Sequence, residues 1–143
     1  MNRRLGALTA TLLILLSAVA CGHPPAASND VAVGLEATSS ALSQAFAAEL
    51  PATFSFTDRM GTALVATTET QMTIDPNGAP ATEFRAGDVG YRVSGRALVV
   101  FLSDSPSAHT DDVYLLGHVV SGLGDIAECV RDCRIAFTVP SAG

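Results

Sequence analysis

Six consecutive apolar residues, Ala97-Leu98-Val99-Val100-Phe101-Leu102, set the strongest constraint on how this chain can fold. Side chains of an extended segment alternate between two faces, so a run that is apolar throughout must be covered on both. The run is rich in β-branched residues and follows a Ser94-Gly95 turn, which reads as a strand in the middle of a sheet or barrel.

The flanking sequence has the texture of further short strands. Residues 53–57 alternate strictly, with Phe54 and Phe56 on one face. Asp58-Arg59-Met60-Gly61 reads as a turn, residues 62–68 as the returning strand, and residues 70–74 as its continuation or a re-entry before the Asp75-Pro76-Asn77-Gly78 turn. Residues 88–93 alternate again, residues 113–120 form another strand, and residues 134–139 the last, ended by Pro140. A short helix is expected over residues 123–130. The expected fold class is therefore mainly β: a small closed β-barrel with one or two short helices, over residues 50–140.

The N-terminus has a different character. Arg3 and Arg4 precede the apolar stretch Leu12-Leu13-Ile14-Leu15-Leu16, which is too short for a membrane span of about 20 residues. Ala18-Val19-Ala20-Cys21-Gly22 follows. Small residues at Ala18 and Ala20 suit signal cleavage, and a cysteine directly after the cut resembles the bacterial lipobox. Residues 1–20 are thus expected to be a signal peptide and Cys21 the lipidated first residue of the mature protein. That resemblance implies attachment to a membrane through lipid, each buried CH₂ contributing about 0.8 kcal/mol, and an extracytoplasmic location on the cell envelope. Residues 22–30 are small and Pro-containing, as in a tether, with His23 a solvated member. Within residues 31–49, Leu42 and Phe46, spaced with Leu50, suit a short amphipathic helix, the alternative being an unstructured stalk.

Charge excludes several partners. Loss of Arg3 and Arg4 with the signal would leave six Arg against fourteen acidic residues, a net charge near −8, with no Lys anywhere. Nucleic-acid binding needs clustered cations, so it is not expected. With Cys21 assigned to lipid, Cys129 and Cys133 remain as an even pair. In an exported protein they read as a disulfide, with two free thiols or a metal site as alternatives; a metal would need two more ligands, and neither His109 nor His118 lies at a short motif spacing. The Cys129–Cys133 spacing requires the helix to end near Asp132. No cofactor motif, metal set or catalytic constellation is read. Asp104-Ser105-Pro106-Ser107-Ala108-His109 lacks the Gly-x-Ser-x-Gly elbow of a hydrolase, and Asp111-Asp112 lacks the alternating ligands of a calcium loop.

Several segments taken in order carry a resemblance. They are Phe54-Ser55-Phe56-Thr57-Asp58, Ala86-Gly87-Asp88-Val89-Gly90-Tyr91, Leu98-Val99-Val100-Phe101-Leu102-Ser103-Asp104 and Leu116-Gly117-His118-Val119-Val120-Ser121-Gly122-Leu123. Together they resemble the small bacterial cyclophilin-like domains of uncharacterised function. The resemblance implies a compact barrel capped by a helix. It does not extend to the prolyl isomerase residues of full-length cyclophilins. Phe84-Arg85-Ala86-Gly87 is a faint echo of the catalytic arginine segment, the pocket Trp has no counterpart because the chain contains none, and Val113 stands where the pocket His would be. The expected role is a non-catalytic module binding a small molecule or peptide, with Tyr91, Arg92, Phe101 and His118 as candidate ligand contacts. The alternatives are a divergent prolyl isomerase and a purely structural envelope protein.

Overall fold

The computed structural model describes residues 30–60, 62–106, 112–129 and 131–141. In chain order the elements are β1 (Asp30–Ala37), α1 (Ala41–Ala48), β2 (Ala52–Phe56), β3 (Asp58–Met60), β4 (Ala63–Thr67), β5 (Glu83–Phe84), β6 (Asp88–Arg92), β7 (Ala97–Phe101), β8 (Ser105–Pro106), β9 (Val113–Ser121), α2 (Leu123–Glu128) and β10 (Cys133–Thr138). Among the described residues, ten strands and two short helices make the domain mainly β, as the residue pattern implied.

Eight strands form one sheet in the order β2-β10-β1-β9-β6-β7-β4-β3, and β5 pairs with β8 separately. The expected closed barrel is not formed. The sheet curls until its two outer strands, β2 and β3, are consecutive stretches of chain separated only by Thr57, yet no ladder joins them. The reason lies in residues 58–60, expected as a turn. They pair with β4, Met60 opposite Ala63, while residues 52–56 pair with β10, so one bent stretch serves both margins. The expected strand over residues 70–74 is also absent; Met72 and Ile74 instead lie half-buried against the core in extended loop.

The largest difference concerns the segment before Leu50. Residues 30–37, placed with the tether and possible helix, form a strand inside the sheet, parallel to β10 and antiparallel to β9. Val31, Val33 and Leu35 alternate there as a half-buried strand requires, and Val33 and Leu35 are in the core. The short helix is present as α1. Ser40 caps it by accepting from the Ser43 amide at 3.1 Å. Leu42 and Phe46 turn inward, and the buried Ser43 hydroxyl donates to the Leu116 carbonyl of β9. Phe46 packs with Phe54 and Phe137, ring centroids 5.9 and 6.4 Å away, and Phe56 stands 6.2 Å from Phe137.

Two-sided burial of residues 97–101 is met in full. Leu98 and Val100 enter the main core with Val89, Tyr91, Leu116 and Ile135, whereas Val99 and Phe101 lie in a second cluster with Ala63, Phe84 and Val113. Phe84 of β5 covers that outer layer, stacked on Phe101 at 4.1 Å. Gly90 makes room for Val113 in the same layer, since a Cβ there would sit 2.5 Å from Val113 Cγ1.

Cys129 and Cys133 are joined by a disulfide with Cα atoms 5.9 Å apart, inside the usual span. α2 stops at Glu128 rather than near Asp132: Cys129 is already extended and Asp132 takes a left-handed φ of 50°, which returns the chain into β10.

Gly117 and Gly124 make opposite predictions. A Cβ on Gly117 would stand 2.5 Å from the Glu36 carbonyl, forcing β9 away from β1, while nothing lies within 4 Å of one on Gly124. Gly117→Ala should cost roughly 2 kcal/mol or more. Gly124→Ala, in helical backbone, should add roughly 0.5–1 kcal/mol. Urea midpoints of the two variants, one lowered and one raised, check both.

Candidate functional site

The β6–β9 ladder brings Asp88 opposite His118, thirty residues apart in sequence. The turn entering β6 is built for this. Gly87 has a φ of +93°, in the left-handed region that favours glycine. Its carbonyl accepts from the Val119 amide at 2.8 Å, and its amide donates to the Phe101 carbonyl at 2.7 Å. The turn is therefore pinned to β9 and β7 together.

Asp88 is the pivot. Its Oδ2 accepts from the Arg85 amide at 2.7 Å, and its Oδ1 lies 2.9 Å from His118 Nδ1. The Asp88 side chain is 13% exposed and that of His118 48%, so one end of the pair is inside and the other meets solvent. A carboxylate offers only acceptors, which places the imidazole proton on Nδ1 and leaves Nε2 of the neutral ring with its lone pair. The ring lies over Gly87: a Cβ there would be 3.2 Å from Nε2 and 3.3 Å from Leu123 Cδ2. The amides of residues 85–88 are all engaged, those of Ala86 and Asp88 with Asp104 Oδ1 and the Arg85 carbonyl. The turn consequently offers no spare backbone donors to stabilise an oxyanion.

The four residues singled out from sequence do not form one pocket. Tyr91 is completely buried, its hydroxyl accepting from the Met72 amide at 3.2 Å. Phe101 is consumed by its stack on Phe84. Arg92 folds back on its own turn, its guanidinium 3.3 Å from where a Gly95 Cβ would be, beside Asp112. His118 alone presents itself to solvent with an oriented partner. Asp88, which orients it, was read only as the first residue of a strand and part of a resembling segment, because the sequence carries no sign of the β6–β9 register. Cys21, His23, His109 and Asp111 lie outside the described residues.

Two clefts occur elsewhere. One of about 300 Å³ runs between Thr38–Ser40, residues 75–81 and Tyr114. A shallower one, of about 710 Å³, is bordered by Asp30, Asp125, Glu128, Cys129 and Arg131. Neither is lined by any of the four candidates. Among the described residues no three His, Cys, Asp or Glu side chains are grouped as a metal would need.

The model of the cyclophilin-like family matches residues 27–140. The chain belongs to the cyclophilin-like family. The match begins well before Leu50, in accord with β1 being part of the sheet. The domain is also similar in structure to a conserved protein of unknown function from Enterococcus faecalis, with a TM-score of 0.59 at 14% identity. That likeness covers 80% of this chain but 31% of the other, so the cyclophilin-like chain spans under a third of its neighbour's length, and it is one of fold alone. No curated protein matches the chain.

Two measurements check these assignments. With the His118 ring neutral, its ¹⁵N shifts should show a protonated Nδ1 and an unprotonated Nε2; the reverse pattern would remove Asp88 as its acceptor. Separately, the Asp112 carboxyl is held below its ordinary value of 3.8, chiefly by a hydrogen bond from the Ser94 side chain, against the opposing effect of burial and with lesser help from the Ser94 amide and the Arg92 guanidinium. A folded pKa below the unfolded one adds stability that is present above the unfolded value and is lost as pH falls through the folded value. Asp112→Asn should therefore cost up to about 1 kcal/mol at neutral pH, and less once the pH drops below the carboxylate range. Denaturation midpoints across acid pH read this directly.

Proposed function

We propose that the protein is a lipoprotein of the bacterial cell envelope, held by lipid on Cys21, whose cyclophilin-like domain binds a small molecule or peptide without transforming it. The anchoring half is supported by Cys21 standing directly after Ala18-Val19-Ala20 behind a short apolar stretch. The Cys129–Cys133 disulfide suits an oxidising compartment outside the cytoplasm. No helix among the described residues is long and apolar enough to cross a membrane. The eight residues 22–29 between Cys21 and β1 reach at most about 30 Å, so the domain would work close to the membrane.

The observation that carries the binding half is the Asp88–His118 pair: a buried carboxylate fixing a half-exposed imidazole, at a turn whose amides are already used. Prolyl isomerisation needs an apolar proline pocket beside a cation aimed at the prolyl nitrogen. Here Tyr91 and Phe101 are buried in the two cores, and the exposed Arg85 lines neither of the two clefts described above.

Expressed in a bacterial host, the precursor should incorporate labelled fatty acid, and Cys21→Ser should abolish the label; label retained in that variant would remove the anchor. The full-length protein in detergent should not accelerate isomerisation of a proline peptide above background. A rate that disappears on Arg85→Ala would replace the binding module with a divergent isomerase.

A further inference from the structure

The register of three neighbouring strands sets a row of side chains across the outer face of the sheet. Glu36 of β1 lies opposite His118 of β9, and His118 lies opposite Asp88 of β6. Directly opposed residues of antiparallel strands share a face, with Cβ atoms about 4.5–5.5 Å apart. The row thus runs from a buried carboxylate, through an imidazole that it orients, to an exposed carboxylate on the far side.

While the imidazole is neutral, what the row offers to solvent is all of one kind. Glu36 accepts and cannot donate. The His118 Nδ1 proton is committed to Asp88, so the neutral ring presents Nε2 as a second acceptor. Among the described residues Glu36 forms no ion pair, whereas Arg134 is paired with Asp30 at 3.1 Å and Arg92 lies at Asp112. A carboxylate or phosphate ligand would meet like charge and no donor here. A cation bearing N–H groups meets two acceptors at neighbouring sheet positions, on a chain with no Lys and a net charge of −6.

We propose that Glu36 and His118 form a binding site for a cationic N–H donor, the guanidinium or ammonium group of a basic ligand, with Asp88 as the positioning residue that keeps Nε2 an acceptor. This rests on the reading of His118 as the centre of a binding site and adds the chemical class of ligand. Leu123, whose Cδ2 like the ring borders the Gly87 position, supplies apolar surface for the aliphatic stem of such a group.

The test uses the full-length protein in detergent, with NMR observation of the His118 ring and the Glu36 and Gly87 amides. The probes are N-acetyl-arginine amide, its uncharged citrulline counterpart, sodium phosphate, and an acetylated Ala-Arg-Ala amide. The arginine amide should shift these signals with at least about tenfold higher affinity than the citrulline compound. Glu36→Gln, a change on an exposed side chain, should lower that affinity about tenfold while leaving the thermal midpoint unmoved. A tighter fit for the tripeptide marks a peptide as the source of the cation, and equal affinity marks a small amine; both support the site. Equal binding of citrulline, or larger shifts with phosphate, overturns the cationic class while leaving His118 a ligand site. An absence of shifts at His118 with every probe overturns the site and the binding reading together.

Discussion

The sheet holds together through β1. Among the ladders of the described residues, those of β1 join the β2–β10 pair to the run β9-β6-β7-β4-β3, parallel to one neighbour and antiparallel to the other. Its fit is tight on the β9 side: the Gly117 position admits no side chain because the Glu36 carbonyl occupies the space. The same close approach sets Glu36 beside His118. A constraint of backbone packing thus fixes the spacing of the surface row on which a ligand would rest.

Burial of β7 on both faces decides where the aromatic residues go. An aromatic side chain gains a few kcal/mol from full burial, more than a single exposed contact with a ligand could offer. Tyr91 and Phe101 therefore belong to the two apolar layers, whereas His118 and Glu36 are exposed on their strands. The chemistry remaining at the surface is acceptor-rich and oriented from beneath by a buried carboxylate.

Much of the strand pattern was legible residue by residue. The apolar run 97–102, the strands at residues 88–93 and 113–120, the turn at Asp75–Gly78 and the Cys129–Cys133 pair each follow from local chemistry and recur in the structure. β1 was missed although Val31, Val33 and Leu35 alternate, because the neighbouring Ala, Ser and Pro residues read as tether and helix. β3 was missed because Asp58-Arg59-Met60 has a turn-like composition and is recruited as a strand only by its ladder with β4. Of the candidate site, His118 was legible as an unusual residue, whereas Asp88 and Glu36 as its neighbours were not.

The sequence by itself determined the class of the domain, because alternation and two-sided apolar runs dictate strands wherever they pair. It also carried the cyclophilin-like resemblance, since glycines and apolar residues in a given order reflect where backbones must pass closely. Only the tertiary structure decided which strands are neighbours, whether the sheet closes, and which polar residues share a row. Those outcomes depend on register between segments far apart in the chain, from Glu36 to Asp88 to His118, and a one-residue slip would turn each of these side chains to the other face.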